Sequence, residues 1–187
     1  MNDRQQQILD AAIAVFSRYG LRKATMGDIA EQAGISRQTL YARYSNKDEI
    51  IAAAMELIAG QVCHEVKEGW GPAQSIGERL DIFLDAAVVR FFDQVRQMPD
   101  ASDLLIGNGD GVTGPQVAAE QGKIDLLTGL FDPYGKELAE KGSSPEELAE
   151  FFYASASNFK FTAHDLPQLR RLLATLKRTT MVMLGEG

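Results

Sequence analysis

The chain is poor in the residues that build covalent and metal-held folds. Its 187 residues include one cysteine, Cys63, and two histidines, His64 and His164. A lone cysteine closes no intrachain disulfide, so a packed core must hold the fold, as suits a reducing cytoplasm. Long hydrophobic runs are missing too. The stretch Ile50–Met55 ends at Glu56, far short of the roughly eighteen apolar residues a membrane helix needs. Residues 1–7 lack the basic-then-apolar plan of a signal peptide, and the expectation is a cytoplasmic protein. Strand alternation, fixed-period repeats and low-complexity tracts are absent as well. Positive charge is scarce: 19 Lys and Arg stand against 26 Asp and Glu, a net charge of −7. At face value this argues against a nucleic-acid binder, which usually carries a basic surface.

The deficit is not uniform. Residues 1–50 hold seven basic and six acidic side chains, a net +1, whereas residues 51–187 hold twelve against twenty, a net −8. Such asymmetry suggests two jobs on one chain, with a division expected at 1–50 and 51–187. With 45% apolar and 24% charged residues the composition is that of a globular protein.

Apolar residues recur with helical spacing almost throughout, and the expected class is all-α with about nine helices. Ile8, Ala12, Val15, Phe16 and Tyr19 mark one face of a first helix, which Gly20 should stop. Thr25 with Asp28 reads as a capping box for a second helix ending at Ala33–Gly34. Ser36 should cap a third helix through about Tyr44, and Asn46 with Glu49 a fourth to about Lys67. A break at residues 69–72 precedes a stripe of Ile76, Leu80, Phe83, Leu84, Ala87, Val88, Phe91 and Val95, widened by Ile82, Val89 and Phe92. Residues 98–116 read as a short helix plus loop, and a helix over 116–141 is interrupted near Asp132–Pro133. Ser144 followed by Pro145 and Glu147 is the clearest helix start. Its helix carries Leu148, Phe151, Phe152, Ser155 and Phe159 on one face, and Asp165 caps the last.

Residues 25–44 have helix-turn-helix spacing. Ile29, Ala30, Ala33, Ile35 and Leu40 point inward, and Gly34 suits the turn. The outward side chains of the second helix are mostly donors: Arg37, Gln38, Thr39, Tyr41 and Arg43. Arg and Gln read base edges in a major groove, while hydroxyls and Lys touch phosphates. Helix N-termini at Thr25 and Asn46 offer further N–H groups to phosphate oxygens.

Ile8 with Ala11–Ala12, Phe16, Tyr19–Gly20, Ala24–Met26, Ile29–Ala30, Ala33–Ser36, Thr39–Tyr41 and Asn46–Ile50 together resemble the DNA-binding domain of the TetR/AcrR family of transcriptional repressors. The resemblance spans Ile8–Ile51, about a quarter of the chain. It implies a homodimeric, ligand-responsive regulator with an all-helical C-terminal domain. By position it assigns phosphate contacts to Thr25 and Lys47, and base or backbone contacts to Arg37, Gln38, Thr39 and Tyr41. Ser36, Arg43 and Tyr44 complete the expected DNA-binding set. Arg43, Tyr44 and Gln38 depart from the residues common in the family, and Gln38 prevents an operator from being borrowed.

The acidic half has little motif content. The last two helices are expected to pair with a second copy in a four-helix interface through Leu148, Phe151, Phe159, Leu169, Leu172, Leu173, Leu176 and Met183. Candidates for a small-molecule effector site are Phe83, Phe91, Phe92, Phe131, Tyr134, Phe152 and Tyr153, with Ser155 and Asn158 as polar contacts; Trp70 and Met98 are further candidates. The −8 charge favours a cationic ligand, or simply keeps this half soluble and off DNA. The alternatives are a helical adaptor and a small helical enzyme.

Several signals fail on context. Gly109–Gly114 fits the GxGxxG pattern but follows no strand. Asn108 and Asp110 lack the other ligands of a calcium loop. Cys63 and His64, adjacent on a helix, diverge by about 100° and chelate no common metal. No catalytic constellation stands out, and neither a cofactor nor a metal is expected.

Overall fold

A computed structural model describes residues 3–97 and 114–186. It is all-helical among these residues, with no strand. The expected short helix and loop after Gln97, the Gly109–Gly114 motif, the Asn108/Asp110 pattern and Met98 lie outside the described residues. The chain forms two compact units, one of Met1–Ile58 with Val95–Ala119 and one of Ala59–Gln94 with Glu120–Gly187.

In the first unit, α1 (Asp3–Lys23) is interrupted at Gly20, whose φ of 79° and ψ of 163° only glycine adopts without strain. The inner face of α1 is Ile8, Leu9, Ala11, Ala12, Val15 and Phe16. Tyr19, expected on that face, is 41% exposed, and the last buried position of the helix is its neighbour Gly20. Helix α2 (Met26–Gln32) opens with the expected capping box: Asp28 N–H donates to Thr25 Oγ1, and Asp28 accepts from Thr25 N–H. Its end is a Schellman turn. Gly34, at φ 64°, lets its own N–H donate to Glu31 O while Ile35 N–H donates to Ala30 O. Helix α3 (Arg37–Tyr41) is capped by Ser36 as expected but stops at Ala42, short of Tyr44. There Arg43 N–H and Tyr44 N–H both turn to Leu40 O, and Tyr44 folds inward to 7% exposure. Ile29, Ala30, Ala33 and Leu40, all nearly inaccessible, pack with α1 and with Ile50 and Ala54 of α4 (Lys47–Trp70).

In the second unit, Val66 of α4 joins a core built from α5 (Ile76–Leu84) and α6 (Arg90–Gln97), from α7 (Gly114–Phe131) and α8 (Gly135–Glu140), and from α9 (Pro145–Thr162) and α10 (Leu166–Leu184). The expected caps Ser144 and Asp165 are in place. A 3₁₀ turn at Asp132–Tyr134 marks the predicted interruption between α7 and α8. Between α5 and α6 the chain makes one π-helical turn, Asp85–Val89. The wider turn rotates everything after it. Phe92 therefore takes the inward place at 4% exposure, and Phe91, which uninterrupted periodicity puts there, is displaced to a half-buried position.

Candidate nucleic-acid interface

The first unit presents α3 outward. Leu40 is fully buried and holds the helix down, so its neighbours Arg37, Gln38 and Tyr41 share the solvent side; Tyr41 is 53% exposed. The side chains of Gln38 and Tyr41 make no hydrogen bond among the described residues, which leaves their polar groups available. Arg37 is also exposed, but its guanidinium lies across Gly27 of α2, so close that a Cβ at Gly27 would sit 2.6 Å from Nη2. A side chain at this position would displace the flexible guanidinium. The same cation helps to hold the Asp28 carboxyl below its ordinary value, after the larger effects of the hydrogen bonds from Thr25. Arg43 Nη2 donates to Gln5 Oε1 at 2.9 Å, joining the end of α3 to the start of α1.

Other expected contacts are committed to the fold. Ser36 Oγ accepts from Thr39 N–H and lies 2.8 Å from Thr39 Oγ1. Thr25 gives its hydroxyl proton to Asp28 at 2.7 Å, so the start of α2 is closed by the chain's own carboxylate. The start of α4 is closed likewise: Asn46 accepts from Glu49 N–H, and Glu49 accepts from Ser45 N–H at 2.7 Å, one residue before the expected partner. Neither terminus stands open to a phosphate as the sequence suggested.

Two of the expected DNA contacts need correction. Tyr44 belongs to the core of the unit, and its hydroxyl is buried. Lys47 does not reach outward for a phosphate. Its Nζ donates to Leu21 O at 2.6 Å, Ala24 O at 3.2 Å and Arg22 O at 3.4 Å, which uses all three of its protons. The reason is electrostatic: these carbonyls end α1, where the backbone dipole favours a cation. Periodicity also could not reveal Gln7, whose Nε2 donates to Ala33 O at 2.8 Å and ties α1 to the helix-turn-helix turn.

In the second unit, Phe83, Phe131 and Phe152 are fully buried. Phe152 meets each of the other two rings at 6.2 Å between centroids, and the three fill the interior against one another. Phe92 and Tyr153 are buried, Phe91 and Ser155 half-buried. Asn158 faces solvent and is not among the interior groups, because the buried stripe of α9 runs through Ala149, Phe152, Tyr153, Ala156 and Lys160. Tyr134 donates to Glu186 Oε1 at 3.1 Å. Trp70 Nε1–H donates to Arg79 O at 2.8 Å. A shallow, open depression in the first unit is lined by Asp3, Gln6, Gln7, Asp10, Ala11 and Gln32.

Of the expected dimer residues, Leu148, Leu169, Leu173 and Leu176 are already enclosed by their own core, so they have no surface to offer a second copy. Phe151 is 58% exposed, and Phe159, Leu172 and Met183 are half-buried. Sequence reasoning missed Val182, exposed on α10, and the buried Lys160 on α9. The signal for Lys160 was a charged residue inside an apolar stripe at helical spacing. Cys63, half-buried near Gly122, has its thiol pushed up by burial, which does not favour redox sensing. Among the described residues no group of three or more His, Cys, Asp or Glu could hold a metal ion, and no helix is long and apolar enough to cross a membrane.

Two capped helices joined by a positive-φ glycine turn, with Arg, Gln and Tyr outward on the second, form a helix-turn-helix in a fold that is all-helical among the described residues. Residues 8–54 match the family described as bacterial regulatory proteins, tetR family. The match covers this domain, about a quarter of the chain.

The transcriptional activator FasR of Mycolicibacterium smegmatis is 34% identical over 119 residues, 64% of this chain and 52% of that protein. The nicotine-responsive repressor HdnoR of Paenarthrobacter nicotinovorans is 38% identical over 85 residues, 43% of this chain and 44% of that protein. The chain spans about half the length of the curated relatives it matches. Whole-chain likeness appears in solved structures. The fatty acid degradation regulator FadR of Bacillus halodurans superposes with a TM-score of 0.70 at 17% identity, over 96% of this chain and 97% of that one. SmeT, repressor of a Stenotrophomonas maltophilia multidrug efflux pump, gives 0.61 at 20% identity, over 95% and 88%. At these identities the likeness establishes the fold.

Proposed function

We propose that the chain is a non-enzymatic, ligand-responsive transcriptional regulator of the cytoplasm. It binds double-stranded operator DNA as a homodimer and releases it when a small molecule occupies the second domain. The observation that carries this reading is the exposed row Arg37, Gln38 and Tyr41 on a helix pinned from behind by fully buried Leu40. A row of exposed polar side chains, on the second helix of a helix-turn-helix, is suited to base edges in a major groove. The relatives named as transcriptional regulators support the same reading.

The working division is a DNA-reading domain of residues 1–50 and a ligand-binding and dimerisation domain of residues 51–187. Two helix-turn-helix units are needed to span two half-sites. The dimer contact is assigned to α9 and α10, through exposed Phe151 and Val182 with Leu172, Phe159 and Met183 beside them. The effector acts through α4, the helix common to both domains, by changing the separation of the two α3 helices. Reciprocity then requires operator DNA to weaken effector binding by the factor by which effector weakens DNA.

A gel-shift assay with the DNA upstream of the chain's own gene tests the reading. Wild type should retard it with affinity falling steeply in salt, and Arg37→Ala with Tyr41→Ala should abolish retardation. Equal retardation by that double variant would overturn the assignment. Dimerisation without any retardation would favour the helical adaptor.

A further inference from the structure

On α9, Lys160 is 9% exposed. Its ammonium lies 4.8 Å from the Phe91 ring centroid and 5.8 Å from that of Phe161, and it makes no hydrogen bond or ion pair among the described residues. A ring face offsets only part of what it costs to take an ion out of water. Lys160 is therefore an under-compensated buried charge. Its surroundings deepen the imbalance. Burial, with a smaller effect from the Lys123 cation, pushes its pKa down to about 8, and the opposing pull of Glu120 is weaker than either. Ser157, one turn earlier on the same face, has a buried hydroxyl without a partner. One turn before that, Tyr153 Oη accepts from Lys123 Nζ across from α7 at 3.5 Å, with the same ammonium 5.7 Å from the tyrosine ring centroid.

Two ammonium groups and a partnerless hydroxyl thus follow one another along one face of α9, each ammonium beside an aromatic ring, with no carboxylate paired to either cation among the described residues. This is the complement of a ligand with an anionic, hydrogen-bond-accepting head on an apolar body. It is opposite in sign to what the net −8 of residues 51–187 suggests, because binding depends on the charges at the site and not on the sum. We propose that the second unit binds an amphipathic carboxylate, whose head pairs with Lys160 and hydrogen-bonds Ser157 while Lys123 adds a second positive charge. The proposal rests on the regulator reading only in making this carboxylate the effector.

The test uses the full chain and calorimetric titration with straight-chain carboxylates from hexanoate to palmitate. The matching alcohols and alkyltrimethylammonium ions serve as head-group controls. A carboxylate should bind about 10- to 100-fold more tightly than its alcohol, the range expected for hydrogen bonds to a charged group. Lys160→Met should remove that advantage, Lys160→Arg should retain most of it, and Ser157→Ala should reduce it. Circular dichroism checks that each variant is folded. Equal binding of carboxylate and alcohol by wild type, an undiminished carboxylate in Lys160→Met, or preferred binding of the ammonium ion would overturn the proposal. The gel shift separates the two readings. Retarded DNA with no carboxylate bound removes this inference and leaves the regulator; bound carboxylate with no retarded DNA does the reverse.

Discussion

Lys47 and Lys160 carry the same charge in opposite circumstances. Lys47 spends its protons on three carbonyls at the end of α1, so it stabilises the first unit. Lys47→Met should lower the melting temperature, at a cost of about 1.5–3 kcal/mol for bonds to a charged group. The salt slope of DNA binding should stay unchanged; a fall of about one in that slope would restore the phosphate role. Lys160 is the reverse, a cost to folding. With its pKa moved from 10.5 to about 8, the unfolded chain holds the proton more tightly across that window. Stability therefore rises as pH climbs from 8 to 10.5, and below 8 the full penalty applies, about 3 kcal/mol. Lys160→Met should be more stable than wild type by roughly that amount at pH 7. Denaturant melts should show the advantage shrinking to little above pH 10.5.

The helices of the DNA-reading unit are short, and their ends carry much of its definition. α2 and α3 span seven and five residues, too few to persist alone. Caps and glycine turns set where they begin and end. Thr25→Ala should cost about 1 kcal/mol by losing the capping box. Gly34→Ala meets open space but a left-handed backbone, so strain of about 1–2 kcal/mol is its whole effect. Gly20→Ala should cost more, toward the top of about 1–3 kcal/mol, because φ 79° with ψ 163° excludes other residues. Thermal melts of the two glycine variants in parallel check that order. In the other unit the π turn at Asp85–Val89 has the corresponding role, because it decides which of Phe91 and Phe92 enters the core and which flanks Lys160.

At the scale of the whole molecule, net charge and assembly would decide how the proposed regulator meets DNA. The acidity is concentrated after residue 50, so non-specific attraction to DNA should be weak and operator contacts should dominate. Doubling the modest basic face of α3 would need the proposed dimer. Phe151→Glu with Val182→Glu places charge on the exposed apolar positions of α9 and α10 and should yield a monomer by sedimentation. Since both side chains lie outside the core, the monomer should keep its helical circular dichroism. An unchanged dimer would move the interface elsewhere.

The all-α class, the capped helix starts at Thr25, Ser36, Ser144 and Asp165, and the helix-turn-helix with its outward Arg37, Gln38 and Tyr41 were determined by the sequence alone. The physical reason is locality: caps, glycine turns and 3.6-residue periodicity act within a few positions of one another. What needed the tertiary structure was non-local. Lys47 looked like a phosphate ligand until carbonyls more than twenty residues away claimed its protons. Tyr44 looked like part of a recognition helix until the chain turned at Ala42 and buried it. One extra residue in a π turn moved Phe91 out of its stripe. Lys160, unremarked among charged residues in the sequence, gained meaning only when Phe91, Lys123 and Ser157 closed around it, because burial and pairing are properties of neighbours brought together by folding.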